Sequence, residues 1–114
     1  MALQETILNS ALDTIAGRID SVSLHTGDPG TTGANELTGG GYTRQTPDWG
    51  PASSAAVEVT TPIVFSIAAG NEIQYVGFWE GTTWMGFGAL SEPEQYNNDG
   101  QLTIQELSIS ATST

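Results

Sequence analysis

Apolar residues recur at helical spacing in one stretch only. Over Leu3–Ile19, the residues Leu3, Ile7, Leu8, Ala11, Leu12, Ile15 and Ala16 form a single stripe, and Gln4, Glu5, Asn9, Asp13 and Thr14 fill the other face. Gly17 supplies a C-terminal stop, and Arg18 sits beside the negative end of the helix dipole. The spacing predicts an amphipathic helix over residues 1–18, whose stripe either packs on the chain's own sheet or docks on a neighbouring subunit. From Ser21 the period changes to two. Val22, Leu24 and Thr26 share one face of a strand, and Ser21, Ser23 and His25 share the other.

Further alternating runs follow at Tyr42–Thr46, Ala56–Thr60 and Ile63–Ile67. Pro47, Gly50 and Pro51 bar regular pairing, which leaves Trp49 on an edge or in a connection. Ile73–Glu80 and Trp84–Leu90, joined by Gly81-Thr82-Thr83, read as a β-hairpin. Glycines at 77, 86 and 88 mark bulges in it, or places where a large ring lies over bare backbone. In the last run, Leu102–Ile109, the apolar phase switches at Gln105-Glu106, which predicts a bulge or a strand crossing between two sheets. The fold expected is mainly β: an antiparallel β-sandwich of about seven short strands with one N-terminal helix. It forms a single domain over 1–114, ending in a flexible tail at 110–114.

Between the first two strand patterns lies a long loop, residues 27–41, carrying six glycines and one proline. Gly27-Asp28-Pro29-Gly30 has turn chemistry, because Pro29 fixes φ and Gly30 can turn left-handed. Gly39-Gly40-Gly41 is no phosphate cradle, since no lysine and no helix pattern follows. It reads as a flexible loop that orders on contact.

Charge narrows the class. The 114 residues hold 13 acidic side chains against two arginines, Arg18 and Arg44, with no lysine, for a net charge of −11. Such a chain repels nucleic acid and anionic membrane surfaces, and it favours a soluble, outward-facing position. With 38% of residues apolar, the Gly-, Ser- and Thr-rich composition fits a turn-rich β domain rather than a disordered chain. There is no cysteine, so disulfides and thiolate metal sites are excluded. Neither a basic secretory leader nor an apolar run long enough to span a bilayer is evident.

Candidate chemistry is sparse. His25 is the only histidine, placed by its strand phase at the surface or rim. Ser23 and Asp28 lie near it in sequence, but so many Ser and Asp residues make that coincidence cheap, and catalysis is not expected. Asn97, Asp99 and Glu106 match part of a calcium loop, with Gln95 in place of its first aspartate and strand patterns rather than helices on either side. No cofactor is expected. Nine aromatic rings could build a carbohydrate platform, with Tyr75, Phe78, Trp84 and Phe87 assigned instead to the core. Because Phe78 and Trp79 are adjacent, they point to opposite sides, and one must face the helix, solvent or a partner.

The stretch Leu24–Gln45, LHTGDPGTTGANELTGGGYTRQ, resembles the opening of small virion proteins encoded among the head and tail genes of tailed bacteriophages, many from actinobacterial hosts. Tyr75-Val76-Gly77-Phe78-Trp79 followed by Gly86-Phe87-Gly88-Ala89-Leu90 extends the resemblance across nearly the whole chain. It implies a structural part of the virion, made in the host cytoplasm, and no enzyme. A capsid decoration protein on the outer head surface is the leading expectation, bridging the major capsid protein and copies of itself as a trimer or other homo-oligomer. The alternative is a minor tail or tail-fibre component touching tail proteins or host-surface glycan. The interface expected for either comprises Leu3, Ile7, Leu12, Asp28, Pro29, Asn35, Tyr42, Arg44, Trp49 and Trp79.

Overall fold

The computed structural model describes residues 4–110. Helix α1 (Glu5–Arg18) leads into seven strands: β1 (Ser21–His25), β2 (Ala56–Glu58), β3 (Ile63–Ile67), β4 (Asn71–Glu80), β5 (Thr83–Tyr96), β6 (Gly100–Ile104) and β7 (Ser108–Ser110). All pairing is antiparallel. A three-stranded sheet has the order β1-β4-β5, and two smaller sheets join β3 to β6 and β2 to β7. The first sheet and the β3–β6 pair share the main core, built on Val22, Leu24, Phe65, Ile67, Ile73 and Val76. The fold is therefore mainly β with one N-terminal helix, as the periodicities require. Leu3 and residues 111–114 of the expected tail lie outside the described residues.

The strand count agrees with expectation through two compensating differences. Tyr42–Thr46 is not a strand, because Gln45 makes only an isolated bridge to Val22. Tyr42 instead turns inward, its ring stacked on Phe65 with centroids 6.1 Å apart and its hydroxyl accepting the Leu24 N–H at 3.0 Å. The missing strand is replaced at the other end of the chain. The run Leu102–Ile109 splits at the phase break into β6 and β7, which pair with different partners. Residues 105–107 carry the chain from one sheet to the other, and the Leu107 carbonyl accepts the Val59 N–H at 3.0 Å.

Only part of the α1 stripe is used. Leu12 and Ala16 pack with Val57 in a small separate cluster, with Trp49, Ala52 and Ile109 around it. Ile7 and Ile15 remain 53% and 42% exposed. The helix thus caps the β2–β7 pair, and its outer apolar flank has no cover among the described residues. Polar ties fix its seat: the Asp13 carboxylate accepts the Ala52 N–H at 2.7 Å, and Asn9 Oδ1 accepts the Ala55 N–H at 2.9 Å. The second tie holds an awkward turn, since Ser54 and Ala55 stand at φ of 53° and 57° without a glycine between them. Asn9→Ala should therefore lower stability by about 1 kcal/mol, read as a fall of several degrees in the thermal midpoint.

Candidate contact surface

The polar face of β1 is not on the surface. Ser23 and His25 are both fully buried, which corrects the rim position inferred from strand phase. The register explains why. Ser21, Ser23 and His25 lie opposite Trp79, Gly77 and Tyr75 of β4, and Gly77 in turn opposite Phe87 of β5. The bare backbone of Gly77 leaves a hollow into which Ser23, His25 and the Trp84 ring converge. Trp79 Nε1–H donates to Ser23 Oγ at 2.8 Å, and that hydroxyl stands 2.7 Å from His25 Nε2. His25 Nδ1 lies 2.8 Å from the Ala34 carbonyl. Only one proton assignment satisfies every group: Ser23 donates to Nε2, and Nδ1–H donates to the carbonyl. The rings of His25 and Trp79 meet Trp84 edge-on at 5.4 and 5.0 Å.

Ser23 and His25 thus form the hydrogen-bonded pair a nucleophile would need, but neither side chain meets solvent. The third member is a backbone carbonyl rather than Asp28, so the arrangement is a structural relay. Burial in this apolar setting pushes the His25 imidazole below its ordinary range, opposed by its bond to Ala34 and by Glu36.

The relay anchors the long loop. Gly33 lies so close over Trp79 and Trp84 that a Cβ there would meet both rings at 2.7–2.8 Å. Pro29 is fully buried, and its carbonyl accepts the Gly33 and Ala34 N–H groups at 3.0 Å. Asp28 Oδ1 accepts the Gly30 N–H at 2.8 Å, and Asn35 Nδ2 donates to the Asp28 carbonyl at 2.9 Å. Glu36 accepts two bonds of 2.9 Å from Arg44 and one of 2.8 Å from Tyr42. Partial burial pushes the Glu36 carboxyl up, but these donors outweigh it and hold the group below its usual value. Arg44 also lies 3.8 Å over the Trp79 ring. The loop is therefore braced internally. Even Gly40, at φ 65°, is pressed on Ala68 too tightly to admit a side chain.

The structure gathers Asp28, Pro29, Asn35, Tyr42, Arg44 and Trp79 into one assembly, but most of their contacts are spent inside the chain. Trp79, expected as a docking residue, is only 8% exposed, and Pro29 and Leu12 are buried as well. Trp49 is half-buried against α1, and its Nε1 has no hydrogen-bond partner among the described residues. Ile7 alone of the expected apolar contacts in the described chain is well exposed. The calcium candidate fails on distance. Asn97 and Asp99 lie in the turn before β6 and Glu106 beyond its far end, separated by a strand that spans roughly 16 Å. Asp99 Oδ1 instead accepts the Ala69 N–H at 2.9 Å.

What does face outward was assigned to the core from sequence. Phe87 is 43% exposed. Its ring stacks beside Trp84 at 6.3 Å and 21°, and meets Tyr75 edge-on at 5.7 Å. The exposed Phe87 ring, with the half-buried Tyr75 and Trp84 rings beside it, forms a ledge on the β4–β5 hairpin, and Trp84 ties it to the relay beneath. Such a ledge presents flat apolar faces of the kind that accept the C–H face of a sugar ring or another protein's side chain. The exchange of roles between Trp79 and Phe87 was not readable from alternation, because both sides of this sheet carry aromatic residues.

A family model described as Podophage GP4 fiber I protein gp80 matches residues 2–112. No curated protein matches the chain.

Proposed function

The chain belongs to the family of the podophage GP4 fiber I protein gp80, a tailed-phage virion family, and from that premise we propose that it is a non-enzymatic component of a tail fibre. The match over residues 2–112 carries this reading and favours it over the head-decoration role that was the leading expectation from the sequence. The acidity that suggested an outer shell suits any exposed, crowded position on a particle and does not single out the capsid. The ledge of Tyr75, Trp84 and Phe87 supplies the contact surface, with host-surface glycan as the ligand class. It is held rigid by the buried relay, so that little ordering is needed on binding.

Quantitative mass spectrometry of purified particles tests the placement. A fibre component should be present at a small fraction of the major capsid protein, and parity between the two would return the chain to the head. The contact is tested separately. Phe87→Ala should reduce adsorption to host cells while leaving the thermal midpoint of the isolated protein nearly unchanged. Full adsorption by particles carrying that variant would remove the ledge from the proposal.

A further inference from the structure

The sandwich is open along one side. β5 is the end strand of its sheet, and among the described residues nothing pairs with its outer edge. Alternate backbone N–H and C=O groups along that edge are therefore available to another strand. Directly beside it runs a groove of about 450 Å3 between β5 and the segment that crosses from β6 to β7. Phe78, Leu90, Ile104, Leu107 and Ile109 give the groove an apolar lining. Gly88 of β5 helps to keep it unfilled: it lines the groove without a side chain, and a Cβ there would meet nothing within 4 Å. An exposed edge next to an unfilled strip of core is the geometry for strand addition, in which main-chain bonds hold the guest and alternate side chains enter the groove.

Charge selects the guest. Glu106 lines the groove itself, and Glu58 lines the adjoining hollow of about 360 Å3 that also includes Glu106. Glu92 and Glu94 stand exposed on β5 just beyond Ser91, the last of its residues at the groove. Neither arginine is free to balance them, because Arg18 is paired with Glu80 and Arg44 with Glu36. A second copy of this chain would bring further carboxylates to the same place. Glu92, Pro93 and Glu94 also blunt the far end of the edge against self-pairing.

We propose that the β5 edge and its groove receive an extended segment of a different protein of the particle, one that alternates apolar with basic residues and adds as a further strand. This goes beyond the fibre assignment and does not depend on it, since it concerns how the subunit is held by its neighbour.

The test uses the full chain and two short labelled peptides of identical composition. One alternates valine with lysine, and the other carries the valines and lysines in separate blocks. Fluorescence anisotropy should give the alternating peptide a Kd lower by about tenfold or more. Gly88→Val, which fills the groove at a position with room for a side chain, should abolish that difference, with the circular-dichroism melt showing a folded protein. Equal affinity for the two peptides would mean simple charge attraction and would overturn the proposal. So would an unchanged preference in folded Gly88→Val. Sedimentation without peptide provides the remaining arm: a dimer dispersed by Gly88→Val would make a second copy the guest and likewise overturn it.

Discussion

Replacing Gly77 by alanine should destabilise the domain by about 3 kcal/mol or more, the largest effect expected of so small a change here. A Cβ at this position would stand 2.5 Å from Ser23 Oγ, 2.6 Å from His25 Nε2 and 2.7 Å from the Trp84 ring. None of the three can retreat cheaply. Ser23 accepts from Trp79 and bonds His25, His25 is tied to the Ala34 carbonyl, and Trp84 lies under Gly33. The backbone of Gly77 needs no special conformation, so the loss would come from displaced side chains alone. Urea unfolding of Gly77→Ala measures it, with Gly88→Ala as the internal comparison. Gly88 lies in the partner strand of the same hairpin with open space at its Cβ, and its replacement should change stability by less than about 1 kcal/mol. Similar midpoints for the two variants would show that the hollow beneath the relay is not tightly packed.

Gly77 also shows where the sequence could be read and where it could not. The pattern at 73–80 identifies a strand, and a glycine inside it marks a close approach of some bulky group. Which group approaches depends on register, and register is set by pairing between residues 50 to 58 positions apart in the chain. The phase break at Gln105-Glu106 was readable because it is local, and of the two readings it allowed, a bulge or a crossing between sheets, the structure shows the second. His25 was misplaced because alternation distinguishes two faces without saying how many are covered. Here the main core covers one face, and the long loop with two tryptophans covers the other. The glycines that suggested a mobile loop serve instead to let its backbone lie against rings and against Ala68. The open groove was not visible in the sequence either, since nothing in Gly86-Phe87-Gly88 states that no other strand among the described residues reaches that edge.

Lowering the pH from about 6.5 towards 5 should weaken the fold, and His25 should be responsible for most of the loss. Burial depresses the folded-state pKa of the imidazole, with the Arg44 charge adding slightly to the depression and Ala34 and Glu36 opposing it. Above about pH 6.5 the ring is neutral in both folded and unfolded chains, and the relay contributes fully. As pH falls below that value the unfolded chain takes up a proton that the folded chain resists. Stability then declines by up to about 1.4 kcal/mol per pH unit until the folded-state pKa is passed. The geometry agrees with this direction. A proton on Nε2 would turn that nitrogen from acceptor to donor, and the Ser23 hydroxyl, already accepting from Trp79, would lose its own acceptor. Glu36 acts in a different window. Its depressed carboxyl stabilises the fold above the ordinary carboxylate range, and that contribution is lost only at more acid pH. Because His25 is the only histidine and the chain has no cysteine, no other side chain ordinarily titrates between about pH 6.5 and 5. Urea midpoints measured across that interval should slope for the natural chain and lie flat for His25→Gln. A flat profile in the natural chain would mean that the imidazole accepts a proton in the folded state as readily as in the unfolded one. In that case the loop would not depend on the neutral ring to hold it over the tryptophans.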